Sequence, residues 1–337
     1  MMRTALRRAL RLRQRGVTLV ELLVATAIST MIVVAAMTAL VVSKQGFVAV
    51  DAASGLRDNA RFAVDLTQRL GVQAGFKDTV YAATTRPVNN LGVAANPPPG
   101  VAGFNNAMAS ATDPVNSPTA RSLGAEGYGS DILILRFQAP ETFPGSGVAD
   151  RSMIDCMGRP ATTVPTGRDD TMVSILHVDL NRDEPSLMCT TVNGSGTASP
   201  AQPMVQGVEN FQVLYGVDGV VANTVPLVSS TDALADQYLR ADQMVVSGDP
   251  VGTNANWRRV RSLRIGMVLR GPSRSAPDAG PQTFYPLGAA PASAGGANGG
   301  AMSSSSDPGS VFTPAVDGRF RQVVTFTVHL RNDQGLR

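Results

Sequence analysis

The chain has 337 residues, enough for one large domain or two modest ones. A hydrophobic share of 43% and a charged share of 16% can build a core and exclude wholesale disorder, while 33 glycines, 22 prolines and 5% aromatics point to loop-rich β structure rather than a helical bundle, coiled coil, collagen or multi-span membrane protein. The formal charge of +3 is concentrated: Arg3, Arg7, Arg8, Arg11, Arg13 and Arg15 crowd the first 16 residues, and the body without them sits near −3, with no basic bias toward nucleic acid.

Residues 17–42 read VTLVELLVATAISTMIVVAAMTALVV. The run is long enough to cross a bilayer as a helix, since about 20 apolar residues suffice. The arginine-rich segment before it stays cytoplasmic under the positive-inside rule. One carboxylate, Glu21, interrupts the run, where an ionised group is costly. A secretory signal core does not normally carry one. From the residues alone, the segment is a secretory signal or signal anchor, cleaved beyond the apolar run or left uncleaved.

The stretch Arg15-Gly16-Val17-Thr18-Leu19-Val20-Glu21-Leu22-Leu23 resembles the class III leader and mature start of the type IV pilin family. The resemblance implies a cytoplasmic leader over 1–16, cut after Gly16 by a prepilin peptidase, and N-methylation of the new terminus at Val17. Phe is usual in the family where Val17 stands. Glu21 becomes the fifth mature residue. Its role follows from charge. When apolar helices bundle, the Val17 amine is buried, and an unpaired buried charge is expensive. Glu21 of the same or an adjacent subunit offsets that cost and sets register.

Beyond the transmembrane or filament-core helix at 17–42, an amphipathic continuation is predicted over 43–71. Leu56, Ala60, Ala63, Leu66 and Leu70 recur at steps of three and four. Arg57, Asp58, Arg61, Asp65 and Arg69 occupy the other side. Arg61/Asp65 and Asp65/Arg69 are i,i+4 ion pairs worth a few tenths of a kcal/mol each. Gly46 and Gly55 are places to bend. A helix over 17–71 would be about 80 Å long.

Residues 72–337 are expected to form a periplasmic, β-rich globular head with long loops near 89–125 and 286–310. Strands are predicted at Asp131–Phe137, Met172–Leu180, Gly207–Gly216, Arg259–Arg270 and Gln322–Arg331, the last with Val324, Phe326, Val328 and Leu330 on one face. Thr231–Asp242 reads as a short helix. The fold class is α+β, the long helix packed on an antiparallel sheet, and the pilin resemblance makes it a type IV pilin fold. Cys156 and Cys189 lack zinc-site spacing. In an oxidising compartment they form a disulfide closing about 34 residues, worth about 3–4 kcal/mol; otherwise they are two buried thiols.

The order of later segments is similar to the PilW minor pilins. They are Asn59-Ala-Arg-Phe62, Gly75-Phe76, Asp155-Cys156-Met-Gly158, Leu187-Met-Cys189, Val205 to Gly216 and Phe320 to Arg331. The resemblance implies a low-abundance, single-pass inner-membrane subunit that primes pilus assembly. Its partners would be other minor pilins, the major pilin, the assembly platform and a PilY-type tip adhesin, with no cofactor. The neighbouring alternatives are a J-like minor pseudopilin of type II secretion and a pilin that binds DNA or surfaces.

Catalytic signatures are absent: no G-x-S-x-G, P-loop, H-E-x-x-H or C-x-x-C occurs. His177 and His329 fall in strand patterns and read as sheet residues. Asp179-Leu-Asn181-Arg-Asp183 opens like a calcium loop but has Glu184 in place of the required glycine, so a hydrophilic turn is expected and no metal. Trp257, Arg258, Arg259 and Arg261, with Arg264, form the single basic–aromatic cluster, a candidate patch for an anion or a partner's acidic face. Solvated strand edges are the alternative.

Overall fold

A computed structural model describes residues 16–78, 98–167, 169–193, 196–226, 232–276, 279–288, 302 and 307–332. The leader up to Arg15, much of the 89–125 loop before Pro98, and most of the 286–310 loop lie outside the described residues. The chain divides into two compact units, Met1–Val50 and Asp51–Arg337.

Helix α1 spans Leu19–Gln73. In the first unit its side chains are exposed apart from the half-buried Ala49. The hydroxyls of Thr26, Thr30 and Thr38 donate back to the carbonyls of Leu23, Ala27 and Ala35 at 2.8–3.0 Å, so these three hydroxyls are satisfied within the helix. Gly46 and Gly55 are helical.

From Asp51 onward the helix has a core face. Ala52, Leu56, Ala60, Ala63, Leu66 and Leu70 are buried, as the periodicity predicts. The end comes two residues later than expected, at Gln73. Gly75 takes φ 78°, and its N–H leaves the helix to bond the Arg136 carbonyl at 2.8 Å. Asn332 Nδ2 donates to the Val72 and Ala74 carbonyls at 2.9 and 3.0 Å, capping the helix from the far end of the chain.

The head contains two main antiparallel sheets where a single one is expected from the sequence. Strands β1 (Val101–Phe104), β2 (Ala107–Met108), β3 (Thr119–Ala120), β4 (Ile132–Phe137), β5 (Met172–Asn181), β6 (Glu184–Val192) and β7 (Gln202–Gln206) come first. Strands β8 (Val208–Val217), β9 (Gln237–Leu239), β10 (Val260–Arg270) and β11 (Arg321–His329) follow. One sheet runs β1-β4-β5-β6-β7, the second β11-β10-β8-β9, and β2-β3 is a small pair.

The switch between sheets is one residue wide. Gly207, φ 82°, donates its N–H to Pro185 of the first sheet at 2.8 Å and accepts from Arg270 of the second at 2.7 Å. A Cβ here would lie 2.5 Å from the Arg270 carbonyl oxygen, so only glycine fits. The strand read from Gly207 to Gly216 is therefore a pivot followed by β8.

One core joins both sheets and α1: Leu133, Leu135, Leu176, Val178, Leu187, Phe211, Val213, Leu263, Ile265, Met267 and Val328 pack with Leu56 to Leu70. Ile132, Ile134, Val173 and Ile175 form a second cluster on the outer face of the first sheet. The unbroken apolar run of β4 is thus explained by burial on both faces. At one end an ion network ties the sheets: Arg270 bonds Glu184 (2.9 Å) and Glu209 (3.2 Å), and Arg321 bonds Glu209 (2.6 Å) and Asp317 (2.8 Å).

The helix expected over Thr231–Asp242 is corrected. Thr231 lies outside the described residues; Gln237–Leu239 is strand β9 on the edge of β8, followed by a 3-10 turn at Ala241–Met244. Helix α2, Pro250–Trp257, is not among the elements expected from the sequence, although its start signal is there: Asp249 accepts the Gly252 N–H at 2.8 Å, with Pro250 in the first turn.

Candidate functional site

Each residue singled out in the sequence has a local setting. At the start of α1, Glu21 and Thr18 form a reciprocal cap. Thr18 donates its N–H to Glu21 Oε2 at 3.0 Å and its hydroxyl to the same oxygen at 3.1 Å, while the Glu21 N–H donates to Thr18 Oγ1 at 3.3 Å. Thr18-x-x-Glu21 is a capping-box spacing, so the signal for Thr18 is present in the sequence but is missed when Glu21 is read only as a charge partner. The carboxylate therefore sits at the helix N-terminus, where the dipole favours an anion, beside the Gly16–Val17 bond. After it, every large apolar side chain from Leu22 to Val42 is more than half exposed, a surface that water does not tolerate on a lone helix. α1 is long and apolar enough to cross a membrane.

Cys156 and Cys189 are joined by a disulfide, with Cα atoms 5.8 Å apart and both residues fully buried. The loop so tethered is organised by Asp155, whose carboxylate accepts from the Met157 and Arg159 N–H groups and pairs with the Arg159 guanidinium at 2.9 Å.

The basic–aromatic patch is corrected. Trp257 is buried and stacks edge-on against Tyr215, ring centroids 4.7 Å apart. Arg258 and Arg259 are buried, and Arg259 donates to the Asp218 carbonyl at 3.3 Å. Arg261 pairs with the Asp218 carboxylate at 3.4 Å. Arg259 and Arg261 are thus engaged by Asp218, some 40 positions upstream, and Trp257, Arg258 and Arg259 lie inside the head rather than forming a surface patch.

His177 is buried, its Nε2 3.2 Å from Thr190 Oγ1, and burial lowers its pKa to about 4, so it is neutral at pH 7. His329 is exposed at the end of β11. Asp179–Asp183 is the tip of the β5–β6 hairpin: Arg182 and Asp183 both take positive φ, 52° and 64°, a two-residue turn with Asn181 opposite Glu184. Among the described residues no cluster of three His, Cys, Asp or Glu side chains could hold a metal.

Two segments of the chain match known families. Residues 175–332, from β5 to just past β11, match the family model for the type IV pilus-assembly protein W, PilW. Residues 11–37, which hold Gly16, Val17 and Glu21, match the prokaryotic N-terminal methylation motif. In these two segments the chain is similar to type IV pilin-like proteins. Among solved structures it is similar to a type IV-like pilin from Thermus thermophilus, with 12% identity over 82% of this chain and 96% of that one and a TM-score of 0.38. Comparison with curated proteins gives no match. Pilin-like families are structural rather than enzymatic, and the PilW match ties this pilin-like chain to other pilus components in general. Its methylation motif and apolar helix fit a membrane-anchored pilin.

Proposed function

We propose that this protein is a minor pilin that helps prime type IV pilus assembly and enters the filament at low abundance near its tip. The observation that carries the reading is a PilW region behind an N-terminal methylation motif on one chain. Before assembly it spans the inner membrane once with its head in the periplasm; afterwards it is on the cell surface. A disulfide in the head suits an oxidising compartment.

Cleavage after Gly16 by the prepilin peptidase frees the Val17 amine, which is then methylated. That cation emerges one residue from Thr18, whose backbone and hydroxyl already hold Glu21 at the helix start. The carboxylate is thus oriented before the charge it neutralises is created. As helices bundle, burial of the ammonium is offset by Glu21 of the same or a neighbouring subunit. The partners are other minor pilins, the major pilin, the assembly platform and a PilY-type tip adhesin.

Mass spectrometry of sheared pili tests this. The expected result is a peptide beginning at methylated Val17. Recovery of the uncut chain from cells that form normal pili would overturn it. A deletion that abolishes exoprotein release and leaves twitching intact would move the protein to the type II secretion pseudopilins.

A further inference from the structure

Each main sheet ends in two edge strands, and three of the four edges are blunted. β9 has three residues, β1 has four and follows Pro98 and Pro99, and β7 carries Pro203. β11 is different. It has nine residues, and Val323–Val328 contains no charge, glycine or proline.

Its free side can be deduced from register. The Leu330 N–H donates to Arg261 at 2.9 Å, and the Gly271 N–H donates to Phe320 at 2.7 Å. Even-numbered residues of β11 therefore exchange hydrogen bonds with β10, and Val323, Thr325, Thr327 and His329 turn their N–H and C=O groups the other way. No described residue pairs with those groups. Val323, Thr325 and Thr327 are half-buried and His329 is exposed. A row of unmet backbone donors and acceptors at strand spacing is complementary to one chemistry, an extended polypeptide backbone.

Charge narrows the occupant. Arg264 lies opposite Thr327 on β10, and Arg331 follows the strand, exposed; neither has an ion-pair partner among the described residues. They make one end of the open edge basic. A second copy pairing antiparallel about Phe326 would set Arg321 against Arg331, and about Thr325 would set Arg319 against Arg331. Like charges facing each other across strands are destabilising.

We propose that the open edge of β11 is a docking site for an extended strand of another pilus subunit, one carrying acidic side chains at the end that meets Arg264 and Arg331. That the strand comes from a pilus subunit rests on the assembly reading above; the edge itself is tested without it.

The test uses the full chain in detergent micelles and alternating valine–threonine peptides ending in two glutamates, at either terminus, or in two lysines. Amide hydrogen exchange and binding are measured. The glutamate peptide of one orientation is expected to protect the Val323, Thr325 and Thr327 amides and to bind roughly tenfold tighter than its lysine counterpart. Thr327→Pro removes an outward N–H without touching the β10 ladder and should abolish protection. Arg331→Glu, at an exposed site, should reverse the peptide preference whether or not the proline variant folds. Unprotected amides, equal binding of both charges, or self-association that protects the edge without peptide would each overturn the proposal. Methylated Val17 in pili with an inert edge would leave the assembly reading standing.

Discussion

Gln73 and Ile154 exchange two hydrogen bonds across 81 positions of sequence: Gln73 Nε2 donates to the Ile154 carbonyl at 3.1 Å, and the Ile154 N–H donates to Gln73 Oε1 at 3.0 Å. The last turn of α1 is thereby bonded to the loop that the disulfide holds two residues later. Gln73→Ala leaves both backbone groups of Ile154 without partners and should destabilise the head by about 1–3 kcal/mol. Urea unfolding of the detergent-solubilised chain measures it; an unchanged midpoint would show the junction to be held elsewhere.

Cys156 and Cys189 should contribute about 3–4 kcal/mol through the loop they close. Dithiothreitol is expected to lower the melting temperature of the parent chain and to have no effect on the Cys156→Ser/Cys189→Ser double variant. The double variant should melt where the reduced parent does.

Glu21→Ala is expected to insert in the membrane and to be missing from sheared pili, because the Val17 ammonium then meets no carboxylate. Thr18→Ala keeps the charge but loses the hydroxyl bonds to Glu21. It should be cleaved normally and be incorporated less well than the parent. Quantitative immunoblots of membrane and pilus fractions separate the two defects. Equal incorporation of the Glu21→Ala protein would remove the charge-pairing mechanism.

His177 makes stability depend on pH in a stated direction. Burial lowers its pKa from 6.5 to about 4, so between these values the unfolded chain binds a proton that the folded chain refuses. Its contribution is fully present above pH 6.5 and is lost as pH falls toward 4, by on the order of 3 kcal/mol. Asp307, raised to about 6 by burial, pulls the opposite way over an overlapping range. The comparison of parent with His177→Gln isolates the imidazole, since Asp307 is common to both. The stability difference between the two proteins should change between pH 7 and 4.5; a constant difference would mean that His177 does not titrate.

Periodic features were legible in the amino-acid order. The Leu56-to-Leu70 face of α1 and the alternation of Val324, Phe326 and Val328 need only a local pattern, and both appear as read. Features decided by distant partners were not legible. The arginines at 258–261 look like a surface patch until Asp218 is brought beside them by the pairing of β8 with β10. One sheet could not be told from two, because the change of sheet is made by Gly207 alone. Two local signals were present and passed over: the Thr18-x-x-Glu21 spacing, and Asp249-Pro250 ahead of α2. The strand at 237–239 lacks a pattern of its own and exists by pairing with β8.

The placement of β11 against α1 makes the end of the helix depend on a distant strand. A Cβ on Gly71 would collide with Val328, and Asn332 holds the last carbonyls of the helix. Residues 71–74 and 328–332, some 260 positions apart in sequence, thus meet at one seam. Any side chain at 71 would push β11 off the helix, so a single change in α1 would be transmitted to β10 through the ladder it shares with β11.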